Sequence, residues 1–218
     1  MADYAGRTYE FVSKAELKSA RKTIDGIIRQ LQKVMREKYS ITFKPILVGS
    51  TKRHLVTRVE DGNTGFDFDY NFSIQNDSDY DAREIKLNFI KELNKILTNT
   101  RYKSVKNNTQ AMTIKFVDKS EIVHSCDFAI VNDYEDEDES FQWILIYNKK
   151  EDEYIWNKRR YGKNYGYKLS NLLENGLWTE VKNEYLYLKN YNNDPDKISF
   201  SLYLEAINNV YNRYDWVN

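Results

Sequence analysis

Hydrophobic positions recur along this chain with two periods, and each change of period marks an element. From Ser13 to about Lys38, Leu17, Ala20, Ile24, Ile27, Leu31 and Val34 return at three- and four-residue spacing, the stripe of an amphipathic helix. Ser13-Lys14-Ala15-Glu16 ahead of it has the form of a capping box. Residues 41–48, ITFKPILV, read as a strand whose early part lies at an edge or bulge because Pro45 cannot donate to a ladder. A short helix over TKRHLV and a turn-rich loop over 57–65 are expected next. Then Phe66, Phe68, Tyr70, Phe72 and Ile74 alternate with Asp67, Asp69, Asn71, Ser73 and Gln75, the period of a half-buried strand.

A second amphipathic helix is predicted from about Asp81 to Leu97, with Ile85, Phe89, Leu93 and Leu97 as its buried stripe. Strands are expected over 101–106, 110–118 and 121–131, the last containing Asp127. The acidic run DYEDEDE at 133–139 reads as a solvated hairpin loop, and FQWILIY at 141–147, apolar on both faces, as a covered strand. From about Asp152 the pattern becomes helical: YIWNKRRYGKNYGYKLSNLLEN, then LWTEVKNEYLYLKN, then a last helix opened by Asp194 and Pro195 with Ile198, Leu202, Ala206, Val210 and Tyr214 as its stripe. The sum is an α+β fold, a mixed and mostly antiparallel twisted sheet flanked by helices, with residues 1–150 as the core and 151–218 as a C-terminal helical segment packed on it.

Composition narrows the class. With 218 residues, 41% of them hydrophobic, the chain can bury a core unaided. Lys+Arg and Asp+Glu balance at 33 each, which argues against wholesale attraction to nucleic acid or anionic lipid. The first helix is an exception, locally basic through Lys14, Lys18, Arg21, Lys22, Arg29, Lys33, Arg36 and Lys38, most simply a solvated face. Cys126 is the only cysteine, so no disulfide can form within the chain, and it reads as a small core residue. The start MADYAGRTYEF lacks the pattern of a secretory signal and no apolar run approaches the roughly 18 residues of a membrane helix, so a cytoplasmic protein without a membrane anchor is expected. His54 and His124 read as packing or surface residues.

Asp67 and Asp69 point to one side of their strand, and two like charges side by side repel unless a cation sits with them. Upstream, a strand ends in Gly49-Ser50, where a glycine allows close backbone approach to a phosphate and Ser50 offers an amide and a hydroxyl at a helix start. Lys52 and Arg53 follow as candidate phosphate contacts. A lone Asp127 stands in a later apolar strand.

Gly49-Ser50, Asp67-Phe68-Asp69 and Asp127, in that order, resemble the GS, DxD, D pattern of the polymerase beta-like nucleotidyltransferase superfamily. The resemblance covers residues 46–131. The long helix before the first strand is similar to the oligoadenylate synthetase and bacterial dinucleotide-cyclase branch, while the C-terminal third matches no named branch. The resemblance implies an enzyme that moves a nucleoside monophosphate from an NTP to an acceptor hydroxyl and releases pyrophosphate by a two-metal mechanism. Asp67, Asp69 and Asp127 would be catalytic residues and metal ligands, for Mg²⁺, or Mn²⁺, since the set is all oxygen. Gly49, Ser50, Lys52 and Arg53 would bind the NTP phosphates; beyond the stretch the resemblance covers, residue type alone nominates Lys168 for phosphate contact and Tyr161, Tyr165 and Tyr167 to stack on a base. The acceptor stays open between a small molecule, a second nucleotide, RNA and protein. Two other readings compete: a DxD-type glycosyltransferase, which leaves Gly49-Ser50 and Asp127 without a role, and an inactive nucleotide-binding or interaction module.

Overall fold

The computed structural model describes residues 8–62, 65–74, 80–135, 140–159, 165–194 and 196–216. Its elements in chain order are β1 (Tyr9–Phe11), α1 (Lys14–Tyr39), β2 (Phe43–Val48), α2 (Gly49–Lys52), β3 (Thr57–Val59), β4 (Phe66–Ile74), α3 (Ala82–Leu97), β5 (Lys106–Asn107), β6 (Met112–Asp118), β7 (Glu121–Glu135), β8 (Ser140–Asn148), β9 (Glu153–Arg159), α4 (Gly166–Glu174), α5 (Trp178–Tyr191) and α6 (Ser199–Tyr211). They fall into two compact units, one of residues 12–56 and 62–161, the other of residues 1–11, 57–61 and 162–218.

The larger unit is a mixed sheet in the order β2-β4-β7-β6-β5, with β8 pairing β7 and β9 pairing β8. Only β4 and β7 run parallel; every other described pair in the sheet is antiparallel. Alternation in β4 does what the sequence predicts. Phe66, Phe68, Tyr70, Phe72 and Ile74 are buried, and they share a core with Ile24, Ile27, Ile28, Leu31 and Met35 of α1 and Ile85, Phe89, Leu93 and Leu97 of α3. At its centre Phe72 lies 4.5 Å from Phe43, 4.8 Å from Phe128 and 5.9 Å from Phe89 between ring centroids. Removing such a ring costs about 3–5 kcal/mol, so this cluster fixes the spacing of helices and sheet. The helices hold one face; Asp67 and Asp69 are left on the other.

Both long helices begin where their caps dictate. In α1 the Ser13 hydroxyl accepts from the Glu16 amide at 3.3 Å and donates to Glu16 Oε2 at 2.7 Å. In α3 Asp81 and Glu84 cap each other reciprocally, at 2.8 and 3.1 Å. Glu92, buried on α3, accepts from Tyr39 at 2.9 Å, Lys95 at 2.8 Å and Lys38 at 3.3 Å, tying the end of α1 to α3. The basic side chains of α1 are exposed.

Several expectations are corrected. Residues 153–159, predicted helical, form β9: Tyr154 and Trp156 pack on the core while Glu153 and Asn157 do not, a period of two, and Tyr154 stacks on its cross-strand partner Tyr147 at 4.5 Å. Residues 57–59, expected as loop, pair as β3 with β1, a strand too short to show a period. Of 101–106, only Lys106 belongs to a strand, and Tyr102 makes an isolated bridge to Phe116. The last helix starts at Ser199 with Ile198 as its cap, so Asp194 does not cap it. Residues 136–139 of the acidic run, Pro195 and Tyr161 lie outside the described residues.

The smaller unit packs α5 against α6 and α4 against α6, around buried Leu172, Val181, Tyr185, Leu202, Tyr203, Ala206, Ile207 and Val210. Its two-stranded ribbon β1-β3 joins α5 through Asn190, which accepts from the Tyr9 amide at 2.6 Å. No helix among the described residues is long and apolar enough to cross a membrane.

Candidate active site

Strand register assembles the carboxylates. Across the parallel pair Asp69 stands opposite Asp127 and Asp67 opposite Ser125, and across the β6–β7 pair Thr113 stands opposite Asp127. Because β2 and β4 pair with Val48 opposite Asp69, the chain leaves β2 into Gly49-Ser50 immediately beside the second aspartate. Asp67, Asp69, Asp127, Gly49 and Ser50 therefore meet where the end of β2 and the start of β4 lie beside the middle of β7. Lys52 is exposed, and Arg53, half-buried at the end of α2, is close enough for its charge to act on Asp69.

Gly49 is required by two constraints at once. Its φ of +65° is left-handed, and a β-carbon would collide with Asp69 Oδ2 and fall 2.8 Å from its Cγ. Thr51, buried behind it, donates from Oγ1 to the Asp67 carbonyl at 3.4 Å, linking α2 to β4.

The electrostatics among the described residues are those of mutually repelling carboxylates. Burial, then Asp127 and Asp67, pushes the Asp69 carboxyl up to about 6, with Arg53 pulling the other way. Asp127 is also raised, by burial first and by Asp67, against a hydrogen bond from Thr113 and the charge of Lys115. Two hydroxyls hold the outer acids: Ser125 donates to Asp67 Oδ1, and Thr113 donates to Asp127 Oδ1 at 2.5 Å.

Among the described residues no group of three or more His, Cys, Asp or Glu side chains is drawn together tightly enough to cage a metal ion. The arrangement still suits one cation type. An all-carboxylate set on one face, partly desolvated, has the donor chemistry of a hard cation such as Mg²⁺ or Mn²⁺; Mg²⁺ in such sites is held by one or two carboxylates, water and substrate phosphates and not by a closed protein cage.

Of the residues predicted to bind base or phosphate further along, Tyr165, Tyr167 and Lys168 lie in the smaller unit. Tyr165 packs edge-on against Phe200 and Tyr203 at 5.9 Å, and Lys168 donates to Asn208 Oδ1 at 2.8 Å. Tyr167 is exposed. His124 is buried on the core face, 2.8 Å from the Tyr102 hydroxyl, stacked on Phe116, and held by burial at about 4, hence neutral; His54 is exposed. Cys126 is fully buried. Ser125 and Thr113 escape a reading of the sequence. Ser125 carries one usable signal, its position two residues before Asp127 on the same strand face, whereas Thr113 enters only through strand register.

No family model matches the sequence, and no curated protein does. The fold does match solved structures. The Vibrio cholerae DncV cyclic AMP-GMP synthase in complex with nonhydrolyzable GTP superposes with a TM-score of 0.59 at 13% identity, over 88% of this chain and 54% of that one. The same synthase in complex with the linear intermediate 5′ pppA(3′,5′)pG gives 0.56 at 12% identity, over 95% and 56%. The Rhodothermus marinus CdnE c-UMP-AMP synthase with Apcpp and Upnpp gives 0.53 at 15% identity, over 94% and 84%. The chain spans about half the length of the DncV structures it matches. The likeness is one of fold: this chain shares the α+β architecture of these synthases, a mixed sheet flanked by helices, as its pattern of elements predicted.

Proposed function

We propose that this protein is a nucleotidyltransferase that moves a nucleoside monophosphate from an NTP to a hydroxyl of a second nucleotide, releasing pyrophosphate. The observation that carries the reading is the register that sets Asp69 opposite Asp127 with Gly49 beneath the Asp69 carboxylate. The likeness of the fold to two cyclic dinucleotide synthases supports a nucleotide as acceptor. The glycosyltransferase alternative gains nothing from a sheet in which β4–β7 is the one parallel pair among the described strands, because nucleotide-sugar domains of the doubly wound kind are built on parallel strands.

In this reading Asp67, Asp69 and Asp127 would hold Mg²⁺, whose charge would offset their repulsion of the polyphosphate. Bound there, divalent ions would neutralise the departing pyrophosphate and favour ionisation of the acceptor hydroxyl. The protein's own part is positional. Gly49 lets the backbone at the end of β2 approach a phosphate, Ser50 offers its amide and hydroxyl there, and Arg53 adds positive charge on the Asp69 side. Asp127, on the strand beyond Asp69, would orient the attacking hydroxyl in line with the leaving group.

The test is incubation with each α-labelled NTP, singly and in pairs, with Mg²⁺. Label in a linear or cyclic dinucleotide is the expected result, dependent on Mg²⁺ and absent in Asp67→Asn. Transfer to RNA or protein would move the acceptor, and no transfer from any NTP with any partner would overturn the reading.

A further inference from the structure

The mouth of the site contains a directed hydrogen-bond chain that starts outside it. Asn108 Nδ2 donates to Thr113 Oγ1 at 2.7 Å, and Thr113 Oγ1 donates to Asp127 Oδ1 at 2.5 Å. A hydroxyl has a single proton and two lone pairs. With an Asn108 N–H occupying one lone pair of the oxygen, the Thr113 proton is turned toward the carboxylate, and rotating it away gives up the bond to Asp127. Thr113 is 6% exposed, so water does not replace either partner freely.

The turn that carries Asn108 is itself anchored. Between β5 and β6, the Asn108 amide donates to the Ala111 carbonyl at 2.9 Å. Lys86 of α3, 1% exposed, donates from Nζ to the carbonyls of Asn108 at 2.9 Å and Thr109 at 3.3 Å. Burying an ammonium against carbonyl oxygens is costly, and the fold accepts that cost at the turn that aims Asn108.

We propose that Thr113 and Asn108 are positioning residues for Asp127: the chain fixes the carboxylate plane, engages Oδ1 and leaves Oδ2 to face a divalent cation and the acceptor. The proposal rests on the nucleotidyltransferase reading above. Removing a residue that orients a metal-ligating side chain typically lowers metal affinity or activity by about 10–100-fold. A purely structural hydroxyl would instead show its loss in stability alone.

The experiment measures Mn²⁺ binding to the whole chain by electron paramagnetic resonance of free Mn²⁺, in the presence of a non-hydrolysable ATP analogue, alongside melting temperature without metal. Thr113→Val keeps the volume and removes the donor; Thr113→Ser keeps the hydroxyl; Asn108→Ala frees the rotor. Mn²⁺ affinity is expected to fall at least tenfold in Thr113→Val. Thr113→Ser should recover to near wild type, and Asn108→Ala should lie between the two at a melting temperature close to wild type. Wild-type affinity in Thr113→Val overturns the proposal, and should that variant fail to fold, wild-type affinity in Asn108→Ala does so. Absence of Mn²⁺ binding in the unmodified protein overturns the functional reading on which this proposal rests, whereas binding that the variants leave unchanged overturns this proposal alone.

Discussion

The Asp69 carboxylate lies over the α-carbon of Gly49, with no room for a β-carbon between them. A second glycine isolates what that contact is worth. Gly176, after α4, also has a left-handed φ, +70°, but a β-carbon there would meet nothing within 4 Å. Gly176→Ala should cost only the backbone strain, about 1–2 kcal/mol, with turnover unchanged below its melting temperature. Gly49→Ala carries the same strain and must also displace Asp69, so turnover at 20 °C is expected to fall by more than tenfold. Thermal melts and turnover of the two variants side by side check this; equal turnover would show that the contact does not matter to the site.

Asp69 should cost stability in the absence of a cation. Its carboxyl, ordinarily near 3.8, is pushed up to about 6 by burial, Asp127 and Asp67. The folded state therefore holds this proton more tightly than the unfolded chain. That contribution is fully present below the ordinary value and is lost as pH rises through about 6. Asp69→Asn, without the charge, is expected to be more stable than wild type at pH 7 by on the order of 2 kcal/mol, with the gain shrinking toward pH 4 and turnover abolished. Urea melts at the two pH values measure it, and a variant less stable than wild type at pH 7 would contradict the electrostatic account.

What the sequence made legible follows from how each feature is encoded. Period and caps are local, so α1, β4 and α3 were readable, as was the shared face of Asp67 and Asp69. The order Gly49-Ser50, Asp67/Asp69, Asp127 implied the fold. The pairing that sets Asp69 opposite Asp127 and Thr113 beside it joins residues far apart in the chain, and no local pattern states it. Strand β9 was hidden for a different reason. Tyr154 and Trp156 are consistent with either period over so short a run, and stacking of Tyr154 on Tyr147 across the hairpin decides for the strand. The three-residue strands β1 and β3 are too short to carry any period.

Glu92 should dominate acid unfolding of the larger unit. Burial pushes its carboxyl up, but hydrogen bonds from Lys95, Tyr39 and Lys38 and the Lys38 charge outweigh burial and hold it at about 2. A depressed folded pKa contributes stability that is present above the ordinary glutamate value, about 4.5, and is lost as pH falls from there toward 2. Glu92→Gln is expected to destabilise by roughly 3 kcal/mol at pH 7 and much less at pH 2.5. Chemical denaturation across this range gives the comparison. A constant difference between variant and wild type would mean that packing, not charge, holds Glu92 in place.

Asp127 separates a structural acid from a catalytic one. A buried acid kept for stability is typically paired with a lysine or arginine, and replacing it strands the partner's charge at a cost of about 3–5 kcal/mol. Its hydrogen-bond donor here is the neutral hydroxyl of Thr113, and Lys115 contributes only a lowering charge effect that burial outweighs. The oxygen of an asparagine amide could accept the same bond from Thr113, so Asp127→Asn leaves no uncompensated cation in that bond and removes one member of a repelling set. Its melting temperature without metal should be equal to or above that of wild type, and binding of a non-hydrolysable NTP largely kept. Turnover, in contrast, should fall by orders of magnitude, because a neutral amide is a poor Mg²⁺ ligand of nearly the same shape. Differential scanning fluorimetry and turnover on one preparation decide the matter: a variant that unfolds makes Asp127 structural, and one that turns over normally removes it from the site.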